Sequence, residues 1–194
     1  MKRNARGPGP RTGQLRIIGG QWRGRKLRFP AVDGLRPTTD RIRETLFNWL
    51  APEITGARCA DLFAGSGALG LEALSRGAAH CDFVDRSERV VDSLRSHLAS
   101  LDAQDRAACR TDSTERFLEG EHEPWDIVFV DPPFGRDLAL SCCQALAQRD
   151  LVASDGLVYL ETARDESLEG LPARWEIHRE KTGGGVAFRL YRVP

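Results

Sequence analysis

Asp131-Pro132-Pro133-Phe134 follows the apolar run Ile127-Val128-Phe129-Val130 and sets a carboxylate, two prolines and an aromatic ring side by side. The prolines fix φ and remove two backbone donors, so the Pro132 carbonyl and the Asp131 carboxylate both present acceptors to a single ligand group. A ring-attached amine suits that pair. It carries two N–H donors and a lone pair delocalised into the ring, so its alkylation requires acceptors that hold both hydrogens and aim the nitrogen at an electrophile. Phe134 offers a face for an extruded base, a stacking contact of roughly 1–3 kcal/mol. Positioning and electrostatics then carry the rate, because the product amine can lose its proton after transfer. The competing role for the segment is a rigid turn with Phe134 packed on the core.

A second cluster, Asp61-Leu62-Phe63-Ala64-Gly65-Ser66-Gly67-Ala68-Leu69-Gly70, places a strand end, a glycine turn and a helix start in succession. Glycines let backbone approach a ligand closely and adopt φ > 0. Asp85 stands at the end of the next expected strand, twenty residues after Gly65, where an open α/β sheet hydrogen-bonds a ribose. Gly65, Gly67 and Gly70 also satisfy the G-x-G-x-x-G dinucleotide pattern, so a nicotinamide enzyme stays open on this motif. Asp61 favours a different ligand. A carboxylate just before the turn would repel a pyrophosphate, yet it can accept hydrogen bonds from the cationic methionine end of S-adenosylmethionine. Its simplest alternative role is to cap the turn.

These residues need elements to hold them. From residue 58 onward, strand patterns near 58–63, 80–84, 107–110, 126–130 and 156–161 alternate with helical patterns near 68–76, 87–100, 113–119 and 137–147, which predicts βαβ units and a largely parallel sheet. Both candidate motifs then fall at the carboxyl edge of central strands, where such sheets bind ligands. Trp175–Glu180 and Val186–Arg192 flank Gly183-Gly184-Gly185 and read as a closing antiparallel hairpin. Upstream, Leu15–Gly19 and Lys26–Phe29 read as a short basic hairpin turning through Gly20 and Gly24, with Trp22 near the turn. A helix over 40–50, capped by Thr39 or Asp40, carries Ile42, Leu46, Trp49 and Leu50 on one face and leaves Arg41 and Arg43 off it. The reading is one α/β unit with an appendage: a disordered basic tail over 1–13, a hairpin extension over 14–34, and the main domain over 35–194.

The chain has 194 residues and no net charge, but the balance is uneven. Residues 1–43 hold twelve Lys or Arg against Asp33 and Asp40, a net of +10, so the remainder carries −10. A basic arm on an acidic body suits a polyanion binder with a separate catalytic part, since Lys and Arg neutralise phosphates. It would equally serve as a solvated tail. The five cysteines show no CxxC spacing, which argues against a disulfide framework and against zinc; no metal is expected, and Cys59, Cys81 and Cys109 read as small buried hydrophobes. The apolar runs are too short to span a bilayer, and the first basic residues are followed by no apolar stretch of a secretory signal, so a cytoplasmic protein with no membrane partner is expected.

Arg16-Ile17-Ile18-Gly19-Gly20-Gln21-Trp22-Arg23-Gly24, Leu35-Arg36-Pro37-Thr38-Thr39-Asp40-Arg41-Ile42-Arg43-Glu44-Thr45-Leu46-Phe47-Asn48-Trp49, the glycine loop, the DPPF segment and Arg189-Leu190-Tyr191-Arg192 together resemble the RsmD family of 16S ribosomal RNA guanine-N2 methyltransferases. The resemblance implies a seven-stranded, Rossmann-like methyltransferase fold with a small basic N-terminal β-hairpin. It implies S-adenosyl-L-methionine as cofactor and, as substrate and partner, a guanine N2 in 16S ribosomal RNA within a 30S subunit, met by a monomer. By position, Asp61, Phe63, Gly65 and Gly67 would hold the methionine part, Asp85 the ribose, and Asp112 with Ser113 the adenine edge. Arg36 and Thr38 match a segment that lies at the cofactor's methionine end. Arg16, Arg23, Arg25 and Lys26 would grip RNA phosphates, and Lys181, in the loop to Gly185, would approach the target base. An adenine-N6 methyltransferase shares the same amine chemistry and stays open on the DPPF segment. A nicotinamide oxidoreductase leaves DPPF and the basic arm without a role, and a noncatalytic ribosome-assembly factor explains the arm alone.

Overall fold

The computed structural model describes residues 12–30, 39–133 and 138–194. Two strands, β1 (Thr12–Arg16) and β2 (Lys26–Pro30), pair antiparallel with Leu15 opposite Leu27 and Arg16 opposite Lys26. Pairing begins at Thr12, so Thr12 and Gly13 belong to the hairpin and not to the disordered tail expected over 1–13. The reason is register: Gly13 faces Phe29, and a Cβ at that position would sit 2.3 Å from the Phe29 ring. Residues 1–11 lie outside the described residues.

The remaining seven strands form one sheet. They are β3 (Arg58–Asp61), β4 (His80–Asp85), β5 (Ala107–Thr111), β6 (Trp125–Val130), β7 (Val152–Ala163), β8 (Glu176–Gly183) and β9 (Val186–Arg192). Their spatial order is β5-β4-β3-β6-β7-β9-β8. The first five run parallel, and β9 lies antiparallel between β7 and β8. The helices are α1 (Asp40–Trp49), α2 (Ala68–Ser75), α3 (Glu88–Ser100), α4 (Thr114–Leu118) and α5 (Leu138–Gln148). None of the described helices is long and apolar enough to cross a membrane.

Strand periodicity sorts the core into two layers. Cys59, Phe83, Ile127, Phe129 and Tyr159 face α1, α2, α3 and the hairpin, while Ala60, Val84, Val128, Val130 and Leu160 face α4 and α5. The hairpin's inner residues, Leu15, Ile17, Leu27 and Phe29, share the first layer with the sheet. The basic appendage is therefore packed into the main body.

Helix α2 reads ALGLEALS, and its single acid is fully buried at 0 % exposure. Glu72 accepts from the Ile18 and Gly19 amides at 2.8 and 2.7 Å and from Arg76 Nε at 2.8 Å. Arg43 of α1 lies 3.6 Å away and is itself 1 % exposed, donating to the Arg16 carbonyl at 2.9 Å and to Asp40 at 2.7 Å. This corrects the expectation that Arg43 projects off the apolar stripe. The helical wheel places it there, but α1 is covered on that side by the hairpin, and a buried guanidinium is tolerated because carboxylates and a carbonyl surround it. Ser75 adds a second clasp, its hydroxyl donating to the Gly19 carbonyl at 2.6 Å and accepting from Trp22 N at 3.0 Å. Gly20 (φ +74) passes so close that a Cβ would fall 1.9 Å from the Ser75 carbonyl oxygen.

Removing one member of a buried ion pair strands the other in a low-dielectric site, at a cost of about 3–5 kcal/mol. Glu72→Ala should lower the unfolding free energy by that amount, read from urea denaturation as a fall in the midpoint. Glu44→Ala, at an exposed position on α1, should leave the unfolding free energy within about 0.5 kcal/mol of the parent.

Candidate active site

The strand order puts β3 and β6 side by side although they are distant in sequence, so the segments that follow them open on one edge of the sheet. A cleft of about 970 Å³ lies there. Its walls take Asp61, Phe63 and Gly65 from the β3 end, Asp85 from β4, Asp112 from β5, and Asp131 and Pro132 from β6. The volume is that of a pocket for a nucleoside-sized ligand with room for a second ring.

Asp61 is 2 % exposed, and its carboxylate accepts from the Gly70 amide at 2.9 Å across the turn. Burial, helped by the nearby Asp85 charge and opposed by the Gly70 amide, pushes it up to about 7. The turn between them needs glycine: Gly65 and Gly67 have φ of +50 and +77, and a Cβ on Gly67 would lie 2.4 Å from Leu94. Asp85 is held by two amides, Gly65 N at 3.0 Å and Ser87 N at 2.8 Å, which fixes the carboxylate and leaves acceptor capacity for hydroxyls. Asp112 Oδ1 accepts from Ser113 N at 2.8 Å, and its other oxygen lies 3.9 Å from Arg116. Ser113 sits apart from this group. Its hydroxyl caps α4, accepting from Arg116 N at 3.2 Å, and the cleft wall at that point is Thr114, whose hydroxyl donates to the Leu62 carbonyl at 2.6 Å.

On the β6 side Pro132 is buried and Asp131 half-buried, both at the cleft. Phe134 lies outside the described residues, as do Arg36 and Thr38. Lys181, Thr182, Gly183 and Gly184 line the same cleft as Asp131 and Pro132. Here the expected loop is shorter than anticipated. Strand β8 runs through Gly183, Lys181 pairs with Phe188, and the turn is only Gly184-Gly185, whose φ values of +63 and +83 suit a two-residue hairpin turn.

The basic hairpin presents Arg16, Lys26 and Arg28 outward, with Arg23 exposed in its turn. Arg25 instead reaches α3, where it donates to the Ser100 carbonyl at 3.2 Å and satisfies a helix C-terminus. Two acids that line or support this region escaped the sequence reading. Glu72 could have been suspected as the lone acid in an apolar helix, and Glu161 as an acid ending the apolar run Leu157–Leu160. Arg41 and Thr45 of α1 also line the cleft.

The model of a family described as conserved hypothetical protein 95 matches residues 15–192. A protein named ribosomal RNA small subunit methyltransferase D, from Escherichia coli (strain K12), is 50 % identical over 181 residues, covering 93 % of this chain and 91 % of that protein. Its namesake in Haemophilus influenzae is 43 % identical over 183 residues, covering 93 % and 94 %. The solved structure of yhhF from Escherichia coli superposes with a TM-score of 0.87 at 49 % identity, covering 93 % of this chain and 98 % of that one.

The raised Asp61 makes folding pH-dependent. Its proton is bound more tightly in the folded chain than in the unfolded one, so stability is full below pH 4 and falls as the pH climbs to about 7. The loss amounts to at most about 4 kcal/mol at about 1.4 kcal/mol per pH unit. Asp61→Asn, which can still accept from Gly70, should raise the thermal midpoint of the ligand-free protein at pH 8 and change it little at pH 4, measured by scanning calorimetry.

Proposed function

The chain belongs to the RsmD family, and from that premise we propose that it transfers a methyl group from S-adenosyl-L-methionine to the exocyclic N2 of a guanine in small-subunit ribosomal RNA. The observation that carries this reading is the meeting of two segments in one cleft, Asp61 to Gly67 and Asp131 to Pro133. One suits a cationic nucleoside, the other a ring-attached amine.

The donor set of the first segment fits the cofactor. Asp61 is a buried carboxylate held above its ordinary range, and a positive charge placed beside it would stabilise its ionised form. Asp85, fixed by two amides, would accept from a ribose diol. Asp112 would stand at the adenine edge and Phe63 and the glycine turn beside the methionine part, while Arg36 and Thr38 are carried by the family segment alone. Ser113 serves the cofactor only through the helix it caps. When bound, S-adenosylmethionine supplies a methyl group made electrophilic by its sulfonium.

The rest falls to the chain's own residues. Asp131 and the Pro132 carbonyl accept the two amine hydrogens, which orients the nitrogen and resists its rotation. As the nitrogen takes the methyl group, whose bond to sulfur breaks with the electron pair left on a neutral thioether, the nitrogen would become cationic, and the Asp131 carboxylate would offset that charge before a proton leaves to solvent. Phe134 would stack on the base. Arg16, Arg23 and Lys26, joined by Arg28 on the same outward face, would contact RNA phosphates, with Lys181 at the cleft mouth and Arg25 contributing less because it is spent on α3. A monomer working on an assembling small subunit completes the reading.

Nucleoside mass spectrometry of small subunits lacking the modification, after incubation with enzyme and labelled cofactor, tests it; N6-methyladenosine in place of N2-methylguanosine would overturn the base assignment. Asp131→Ala should lower kcat by at least about a hundredfold, since it removes a preorganised electrostatic contact, while cofactor affinity by calorimetry changes little. Asp61→Asn should do the reverse and weaken cofactor binding. Reversing both Arg16 and Lys26 to Glu should weaken RNA binding across all sequences and flatten its dependence on log salt, read by filter binding at several ionic strengths.

A further inference from the structure

Asp131 and Pro132 hold an amine but do not say which base carries it. Guanine presents three donors along one edge, the ring N1–H and the two hydrogens of N2. Adenine and cytosine each set an amine beside a ring nitrogen that has a lone pair and no hydrogen. A third acceptor beside Asp131 and Pro132 would therefore match guanine and oppose the other two.

Strands β6 and β7 run parallel with Val130 opposite Leu160, so Asp131 and Glu161 are the next residues on neighbouring strands. Val130 and Leu160 face the α4–α5 layer, and the alternation turns Asp131 and Glu161 to the face of Phe129 and Tyr159. Both acids line the cleft, at strands separated from β4 and β5 by β3, and Glu161 lies across one strand from Lys181, each paired with Phe188 of β9. Glu161 is 5 % exposed. Its Oε2 accepts from the Tyr159 hydroxyl at 2.6 Å, and among the described residues that is the single hydrogen bond to this carboxyl. A buried carboxylate can accept about four hydrogen bonds, so this one is built into the cleft with most of its capacity turned to a ligand.

We propose that Glu161 selects guanine by accepting the ring N1–H while Asp131 and Pro132 hold N2. Tyr159 acts as a positioning residue, its hydroxyl fixing one oxygen of Glu161 so that the other meets the base. The proposal rests on reading the cleft as the site of amine methylation. It adds the base-identifying contact that the DPPF segment lacks.

The test uses small subunits reconstituted from ligated RNA that carries either guanine or 2,6-diaminopurine at the target position. Diaminopurine keeps the 2-amino group but has a lone pair at N1. The wild-type enzyme should prefer guanine in kcat/KM by about ten- to a hundredfold, the cost of setting a buried charged acceptor against a lone pair in place of its hydrogen bond. Glu161→Gln can donate to the diaminopurine N1 and should bring that ratio to within about threefold of unity. It should do so with unchanged cofactor affinity by calorimetry, which also reports that the variant is folded. Tyr159→Phe should raise KM for the guanine substrate more than it lowers kcat. Equal wild-type rates on the two bases would overturn the proposal without any variant, as would a Glu161→Gln ratio equal to that of the wild type. If instead the wild type methylates neither substrate at N2, the parent reading fails, a result distinct from either of these.

Discussion

The carboxylate of Glu72 is the tie on which the arrangement of the molecule depends. It draws two successive amides of the hairpin connection, one guanidinium from α1 and one from its own helix onto a single buried point. An acid in that position is costly to bury, and its cost is offset only when all these donors converge. Two elements that are separate from it in sequence, the hairpin and α1, therefore take fixed places relative to α2. Because α2 begins at the glycine turn, the same tie sets the hairpin and α1 in relation to the cleft, and Arg41 and Thr45 of α1 come to line it.

The cleft follows from topology in the same way. A carboxylate stands at or just past the end of three successive strands on one side, Asp61, Asp85 and Asp112; on the neighbouring pair Asp131 follows β6 and Glu161 lies near the end of β7. Parallel strands with helical returns bring their carboxyl ends to one edge, and reversal of the strand order between β3 and β6 opens a cleft there. Five acids on one edge would repel one another in isolation. Amides from the glycine turn and from the start of α3 hold Asp61 and Asp85, and the Tyr159 hydroxyl holds Glu161, so each is oriented before any ligand arrives.

Patterns confined to a few neighbouring residues were readable without coordinates. The alternating strands and helices, the glycine turn and the DPPF segment carry their meaning locally, and the described elements lie where that reading put them, within a few residues. What escaped it involves partners from far along the chain. Arg43 falls off the apolar stripe of α1, and its burial was not legible because a helical wheel knows nothing of the hairpin whose Arg16 carbonyl it meets. Glu72 and Glu161 have no motif of their own, since their roles come from Ile18 and Gly19 in one case and from the register of β6 with β7 in the other. Arg25 looked like its basic neighbours until α3 placed a carbonyl beside it.

The clasp between the hairpin and α2 joins residues 53 to 56 positions apart, and this imposes an order on the birth of the protein. The hairpin is synthesised first, yet the side chains that hold the backbone of Ile18, Gly19 and Trp22 lie on α2, and Arg106, later still, lies over the Trp22 ring. Until α3 has emerged as well, Leu15, Ile17, Leu27 and Phe29 lack much of the surface that covers them, since β2 packs against α3, and two strands alone are marginal in water. The cationic ribbon is thus shapeless while the nascent chain is short. It becomes a defined surface only once α2 and α3 are both in place, so a truncated or stalled product carries the charge without the shape.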